Sequence, residues 1–137
     1  MESIFETKTL SVTINRDIDI VYRFISSPKN LPLWAKAFCK SVRKFRTNWI
    51  IGTPAGSMKV RFAVKNSFGV LDHYIYPSPK IEIYVPMRVL PNGAASEVMF
   101  TLFRRPDMSR AEYLRDIGMV TRDLKSLKKH LEKGNRK

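Results

Sequence analysis

Two histidines, one cysteine and an adjacent Asp–His pair are the residues of this sequence best suited to acid–base, nucleophilic or metal chemistry. His73 follows Asp72, whereas His130 and Cys39 have no second candidate ligand at a useful spacing. A metal site needs two or three further convergent ligands, and the sequence has neither a Gly-x-Ser-x-Gly motif nor a glycine-rich phosphate loop. We therefore expect no metal and no cofactor, and we interpret Cys39 as an inert buried thiol.

The hydrophobic pattern predicts that His73 points into the fold. Apolar residues alternate with basic ones in the segment 57–66, and those expected to face the core are Met58, Val60, Phe62 and Val64. A short loop at 66–69 would then place His73 inward, opposite Val60, and Asp72 outside near Arg61. An inward histidine is either satisfied within the core or a ligand contact, and the sequence leaves both interpretations open.

An Asn-Gly pair at 92–93 predicts a second hairpin. A two-residue turn there would set Arg88 opposite Glu97 on the outer face. The apolar pairs on the inner face would be Met87 with Val98 and Val85 with Phe100. We interpret Arg88 and Glu97 as a surface ion pair with a structural role rather than a catalytic one, because such pairs are common and individually weak.

The order of the predicted elements describes a single domain over 1–133 with a frayed basic tail at 134–137. Residues 4–14 read as a strand, a helix begins near Ile18, and a second short helix covers about 30–37. Six strand-like segments follow, at roughly 38–46, 48–53, 57–66, 69–76, 80–90 and 95–104. Ser109 and Glu112 then form a capping box, which predicts a long amphipathic helix from there to about Glu132.

Composition and charge narrow the class of protein. The 137 residues include no apolar run near the roughly 20 that a membrane span needs, no secretory signal, and one cysteine, so a cytoplasmic protein is expected. The net charge is +13, and no Asp or Glu occurs between Ile20 and Leu71. Such a surface attracts nucleic acid or anionic membrane. Neither partner is favoured, because no helix-turn-helix pattern or ribonucleoprotein aromatic signature accompanies the charge.

The segments 12–25 and 27–34 resemble the opening of the START-like superfamily, also called SRPBCC, and the likeness continues through 49–56, 68–73 and the final helix. This superfamily includes the birch pollen allergen, lipid-transfer domains and polyketide cyclases or dehydrases. The resemblance implies an α+β helix-grip fold, in which a seven-stranded antiparallel sheet wraps around a long C-terminal helix, with two short helices after the first strand. It implies no catalytic residue, since the superfamily has no universal catalytic motif.

Fold and pattern together suggest that the protein binds a hydrophobic small molecule (a lipid, an aromatic or a polyketide-like compound) between the sheet and the C-terminal helix. The expected wall consists of Met58, Val60, Phe62, Leu71, His73, Ile75, Val85, Met87, Val98, Phe100, Leu114, Gly118 and Thr121. A cyclase or dehydrase that uses His73 as general acid or base is the alternative, and binding of nucleic acid or anionic membrane is the third hypothesis. A fully packed core would satisfy the same pattern.

Overall fold

The computed structural model describes residues 4–133, which form an α+β fold of eight strands and three helices. The strands are β1 (Thr7–Ile14), β2 (Ser41–Phe45), β3 (Asn48–Thr53), β4 (Gly56–Phe62), β5 (His73–Ser78), β6 (Ile81–Val85), β7 (Met87–Asn92) and β8 (Ala95–Phe103). The helices are α1 (Ile18–Ile25), α2 (Leu31–Trp34) and α3 (Arg110–Lys133), with a 3-10 turn at Pro28–Asn30. The predicted order of elements is confirmed. The predicted tail at 134–137 lies outside the described residues.

The described strands form two antiparallel sheets instead of the single seven-stranded sheet that was predicted. Their orders are β1-β8-β7 and β2-β3-β4-β5-β6. The break between them falls at Pro86, inside the segment 80–90 that was expected to be one strand. Proline has no N–H to give a neighbouring strand, and the Pro86 carbonyl instead accepts a bond of 3.0 Å from the Thr101 N–H. The sheets wrap α3, so the helix-grip prediction is confirmed with one additional strand.

Local sequence signals account for the starts of both major helices. The Asp17 side chain accepts hydrogen bonds from the N–H groups of Asp19 and Ile20, which caps α1. The capping box predicted for α3 is also present: the Ser109 N–H donates to Glu112, and the Glu112 N–H donates to the Ser109 hydroxyl. These caps fix where each helix begins and therefore which side chains face the sheets.

The hairpin between β4 and β5 differs from its prediction in register and in loop length. His73 lies opposite Phe62, not opposite Val60, and the connecting loop covers 63–72. The inward face of His73 is unchanged, because a shift of two residues preserves the face. The prediction that Val64 lies in the core is wrong. Strand β4 ends at Phe62, and Val64 is 88% exposed in the loop.

The hairpin between β7 and β8 is shifted in the same way. Its two-residue turn is formed by Gly93 and Ala94, so that Asn92 pairs with Ala95 and Arg88 lies opposite Met99. The predicted pairings of Arg88 with Glu97, Met87 with Val98 and Val85 with Phe100 are therefore wrong, although Arg88 is exposed as expected. Gly93 adopts a positive φ of 60° at the first turn position, which moves the turn by one residue.

The closed part of the core lies where α1, α2 and the second half of α3 meet the sheets. Its apolar members include Ile14, Val21, Ile25, Trp34, Met87, Val89, Val98, Leu124 and Leu127. Cys39 is 1% exposed, and burial is the main reason that its thiol pKa is raised above the ordinary value. The thiol donates to the Ser41 carbonyl at 3.2 Å, as an unreactive core cysteine does.

Candidate ligand-binding site

Two rows of side chains form the inner face of the β4-β5-β6 region. The register aligns Phe62 with His73 and His73 with Val85 across the three strands. It also aligns Val60 with Ile75 and Ile75 with Ile83. Side chains directly opposite one another share a face, and Val60, Phe62 and Ile75 lie in or against the buried core, so both rows point inward. Apart from His73, this wall is apolar.

The wall is closed at its centre and open around it. Val60, His73 and Val85 are 3%, 6% and 7% exposed. Met58, Phe62 and Ile75 pack against this centre but are only half-buried. A surface of large apolar side chains that is incompletely covered can accept an apolar ligand.

The remaining predicted wall residues before α3 differ in burial. Leu71, Met87 and Val98 are at most 1% exposed and belong to the closed core. Phe100 is half-buried, and its ring and that of His73 form an edge-to-face pair with centroids 6.1 Å apart. Phe100 therefore lies beside His73, whereas the other three are core residues.

The first half of α3 contributes few buried side chains. From Leu114 to Arg122 every side chain is half-buried or exposed, and Leu114 itself is 53% exposed. A Cβ built on Gly118 would meet only the guanidinium of the exposed Arg122, at 3.7 Å, so this glycine lies away from the buried face of α3. The Thr121 hydroxyl donates to the Ile117 carbonyl at 2.7 Å. In contrast, Leu124, Leu127 and Leu131 in the second half are buried.

His73 is held as a neutral ring in one tautomer. Its Nδ1 lies 3.1 Å from the Leu71 carbonyl oxygen, which can only accept, so Nδ1 carries the proton. The ring stacks on Phe62 at 4.7 Å between centroids. Burial lowers its pKa from 6.5 to about 4, with the Leu71 hydrogen bond and the Asp72 charge opposing the shift. At neutral pH the ring therefore offers Nε2 as a hydrogen-bond acceptor.

Asp72 serves the outer surface rather than His73. Its carboxylate accepts two bonds of 3.0 Å from Arg88, one of 2.9 Å from the Met87 N–H and one of 2.9 Å from the Tyr84 hydroxyl. Partial burial opposes ionisation, but these donors lower the pKa of Asp72 below its ordinary value. The expected contact of Asp72 with Arg61 is wrong, because Arg61 donates to Tyr76.

Glu97 and Arg88 are likewise not partners. Glu97 accepts from the Thr13 hydroxyl at 2.6 Å and from the Asn92 amide at 3.2 Å. The outer ion pair expected for Arg88 exists with Asp72 in place of Glu97.

Sequence reasoning missed two wall residues and one buried carboxylate. Ile83 and Trp49 extend the inner rows, and continuing the alternation back from Val85 would have found Ile83. Asp123 on α3 is 5% exposed and accepts a bond of 2.8 Å from the Ala37 N–H. Burial is the main reason that its pKa is raised. Its position four residues before Leu127 signals a core-facing helix position.

Away from the wall, a groove of about 480 Å³ lies between α1 and the C-terminal end of α3. Arg16, Arg23, Phe24 and His130 contribute to its lining, and the His130 ring stacks on Phe24 at 4.9 Å. His130 therefore lies on the outside of the fold, near the C-terminal end of α3.

Residues 4–133 contain no group of three or more His, Cys, Asp or Glu side chains arranged to hold a metal ion. Within the same residues, no helix combines the length and the apolar character needed to cross a bilayer.

Solved structures share this fold at low sequence identity. The Bacillus cereus protein XoxI is 20% identical with a TM-score of 0.75, covering 96% of this chain and 99% of that one. The Zhui aromatase/cyclase from a Streptomyces species is 10% identical with a TM-score of 0.74, covering 97% of each chain. Ara h 8.0201 is 9% identical with a TM-score of 0.66, covering 92% and 97%. No protein-family model matches the sequence, and no curated protein is significantly similar to it.

Proposed function

The chain has the helix-grip fold of the START-like superfamily, and from that fold we propose that it binds a hydrophobic small molecule between the inner face of β4-β5-β6 and the first half of α3. The observation that carries the proposal is the incomplete cover of an apolar wall. Met58, Phe62 and Ile75 are half-buried, and no side chain from Leu114 to Arg122 is buried. Large apolar groups left partly uncovered are better explained by an occupant than by a packed core.

His73 is the one ionisable group in the two central rows of the wall, and it indicates which polar group the ligand carries. Because Nε2 of neutral His73 accepts a hydrogen bond, it suits a ligand hydroxyl or N–H and not a carbonyl. We therefore infer a mostly apolar ligand with one donor group, such as a phenol, a sterol or a hydroxylated polyketide-like compound. A saturated hydrocarbon would fill the wall but leave Nε2 unpaired.

The experiment is native mass spectrometry with a panel of fatty acids, sterols and hydroxylated aromatics. We expect stoichiometric uptake of at least one class by the native protein. Ile75→Asn would put a polar side chain on the half-buried part of the wall and weaken uptake. The matched control is Ile81→Asn, which makes the same change at an exposed position of β6. No uptake across the whole panel would favour a packed core and overturn the proposal.

An enzymatic role in the same site ranks second. The specific observation in its favour is the likeness to the Zhui aromatase/cyclase, together with a histidine in the wall. A ring with a pKa of about 4 is a weak base at neutral pH, and the nearest carboxylate, Asp72, is bonded to Arg88, so we rank catalysis below binding. Turnover of polyketide-like substrates that is abolished in His73→Ala, with an unchanged thermal melt, would reverse this ranking.

A further inference from the structure

The loop 63–72 displays large apolar side chains to solvent. Val64 is 88% exposed and Phe68 is 81% exposed, more than any other large apolar side chain of the described residues except Ile4. Scattered exposed apolar groups are normal, but two nearly bare ones in one short loop are the kind of feature that marks an interaction surface. Lys65 lies between them in the chain.

Hydrogen bonds within the loop hold the conformation that exposes these side chains. The Asn66 amide donates to the carbonyls of Val64 and Val70, both at 3.0 Å, and its oxygen accepts from the N–H groups of Phe68 and Val70. The Asn66 N–H donates to the Tyr22 hydroxyl of α1 at 2.9 Å. The side chain of one residue therefore holds the loop in the shape that turns Val64 and Phe68 outward.

The β2-β3 hairpin adds cations and a third apolar group at the same end of the sheet. Phe45 lies opposite Asn48 next to the turn at 46–47, and the register of β3 with β4 sets that turn beside the end of β4, where the loop 63–72 begins. Phe45 is 52% exposed, with the guanidinium groups of Arg43 and Arg46 at 5.8 and 5.5 Å from its ring centre. Lys44 extends over Trp49 at 5.6 Å.

These cations are not neutralised by the described part of the protein. We call Arg43, Lys44, Arg46 and Lys65 the basic rim, and Phe45, Val64 and Phe68 the apolar tips. None of the four rim residues forms an ion pair with another residue of 4–133, and no acidic residue occurs between Ile20 and Leu71. On the outer face of the sheet, by contrast, Arg61 is paired with Glu82 and Arg88 with Asp72.

We propose that the apolar tips and the basic rim dock this end of the protein onto an anionic lipid bilayer. Exposed apolar groups and cations at one end of the sheet match the membrane interface, where apolar groups enter the acyl boundary and cations meet anionic headgroups. Nucleic acid fits less well, because an aliphatic side chain such as Val64 offers no face on which a base can stack. The proposal uses no residue of the ligand wall and holds whether or not the wall binds a ligand.

Vesicle sedimentation of the whole protein tests the proposal. Vesicles of phosphatidylcholine with about 30 mol% phosphatidylserine are compared with pure phosphatidylcholine at physiological salt. We expect binding to the anionic vesicles only. Val64→Ser with Phe68→Ser should weaken it about tenfold, and Arg46→Asn with Lys65→Asn by a similar factor. Asparagine suits position 46, where Arg46 has a positive φ of 59°.

Control variants remove an exposed apolar side chain or an equal number of charges elsewhere. Leu90→Ser acts on β7, and Lys125→Asn with Lys129→Asn acts on exposed positions of α3. All variants should keep the native melting temperature, because the altered side chains are exposed.

Three results would overturn the proposal: equal losses in the control variants, retention of RNA instead of vesicles with the same dependence on the rim, or a solution dimer that dissociates on Phe68→Ser. The last result would assign the tips to a second copy of the chain.

Discussion

Burial of His73 links the stability of the fold to pH. Its pKa is about 4 in the folded protein and 6.5 in an exposed histidine, so the unfolded state takes up a proton first as the pH falls. The stability that comes from keeping this ring neutral is fully present above pH 6.5 and is lost between pH 6.5 and about 4. The difference corresponds to about 3 kcal/mol.

We therefore expect the native protein to lose about 2 kcal/mol more than His73→Leu between pH 7 and about pH 4.5. Urea unfolding of both proteins at the two pH values measures this difference directly. Parallel losses in the two proteins would show that His73 titrates normally in the fold.

The tautomer of His73 predicts how the site selects ligands. A phenol should bind the native protein about tenfold more tightly than its methyl ether, because only the phenol can donate to Nε2. His73→Leu should remove this preference while keeping affinity for the apolar part of the ligand. Competition titrations with a matched phenol and ether pair measure the effect. An ether that binds as well as the phenol to the native protein would contradict the assignment.

On the outer surface, replacing Asp72 should cost more stability than replacing its partner Arg88. Arg88→Ala removes an exposed guanidinium and should cost no more than about 1 kcal/mol. Asp72→Ala leaves the Met87 N–H without its acceptor and should cost about 2 kcal/mol. Denaturant unfolding of both variants gives the comparison, and ligand uptake should be unchanged in each. A larger loss in Arg88→Ala would indicate that the ion pair, not the backbone contact, is what matters.

At the scale of single residues, the sequence predicted faces better than partners. His73 and Arg88 lie on the sides of the sheet that alternation assigned to them, yet both of their predicted cross-strand neighbours were wrong by two positions. Alternation is unchanged by a shift of two, whereas the partner depends on where the chain turns. Here the loop built around Asn66 sets the register of β4 with β5, and the turn at Gly93 sets the register of β7 with β8.

At the scale of elements, the C-terminal helix was the most predictable part of the chain. The capping box of Ser109 and Glu112 predicted where it begins, and the leucines of its second half form a buried stripe. Ser109→Ala should cost about 1 kcal/mol, because the Glu112 N–H loses its acceptor. Thermal unfolding measures the cost, and Ser109→Asp, which keeps an acceptor, should restore most of it. Equal losses in both variants would show that the missing acceptor is not the cause of the loss.

The division into two sheets was harder to foresee, although its signal is present. Pro86 interrupts an otherwise strand-like run, and a proline within such a run indicates an edge or a break. Residues on both sides nevertheless keep the strand pattern, because β6 and β7 are each strands. Local patterns cannot tell whether consecutive strands belong to one sheet or two.

At the scale of the whole molecule, the order of elements and the resemblance predicted the fold, whereas the openness of the site could not be predicted. A packed core and a ligand wall need the same apolar residues, and only the relative positions of α3 and the sheet separate them. Net charge behaves in the same way: +13 predicts a positive surface, but the fold decides which cations Asp72 and Glu82 neutralise.

The close approach of Gly69 to β7 has a consequence for self-association. The Gly69 carbonyl accepts from the Val89 N–H, and the Leu71 N–H donates to the Met87 carbonyl, so the loop occupies an edge of β7 that would otherwise be bare. Gly69 has a φ of +72°, and a Cβ there would collide with the Val89 carbonyl oxygen.

Gly69→Ala should therefore lift the loop and expose a strand edge that another chain can extend. We expect faster growth of light scattering on mild heating than in Gly93→Ala, whose added Cβ meets nothing within 4 Å although its φ is also positive. Equal rates would show that the loop does not guard this edge. The loop that presents Phe68 outward thus also protects the fold against aggregation.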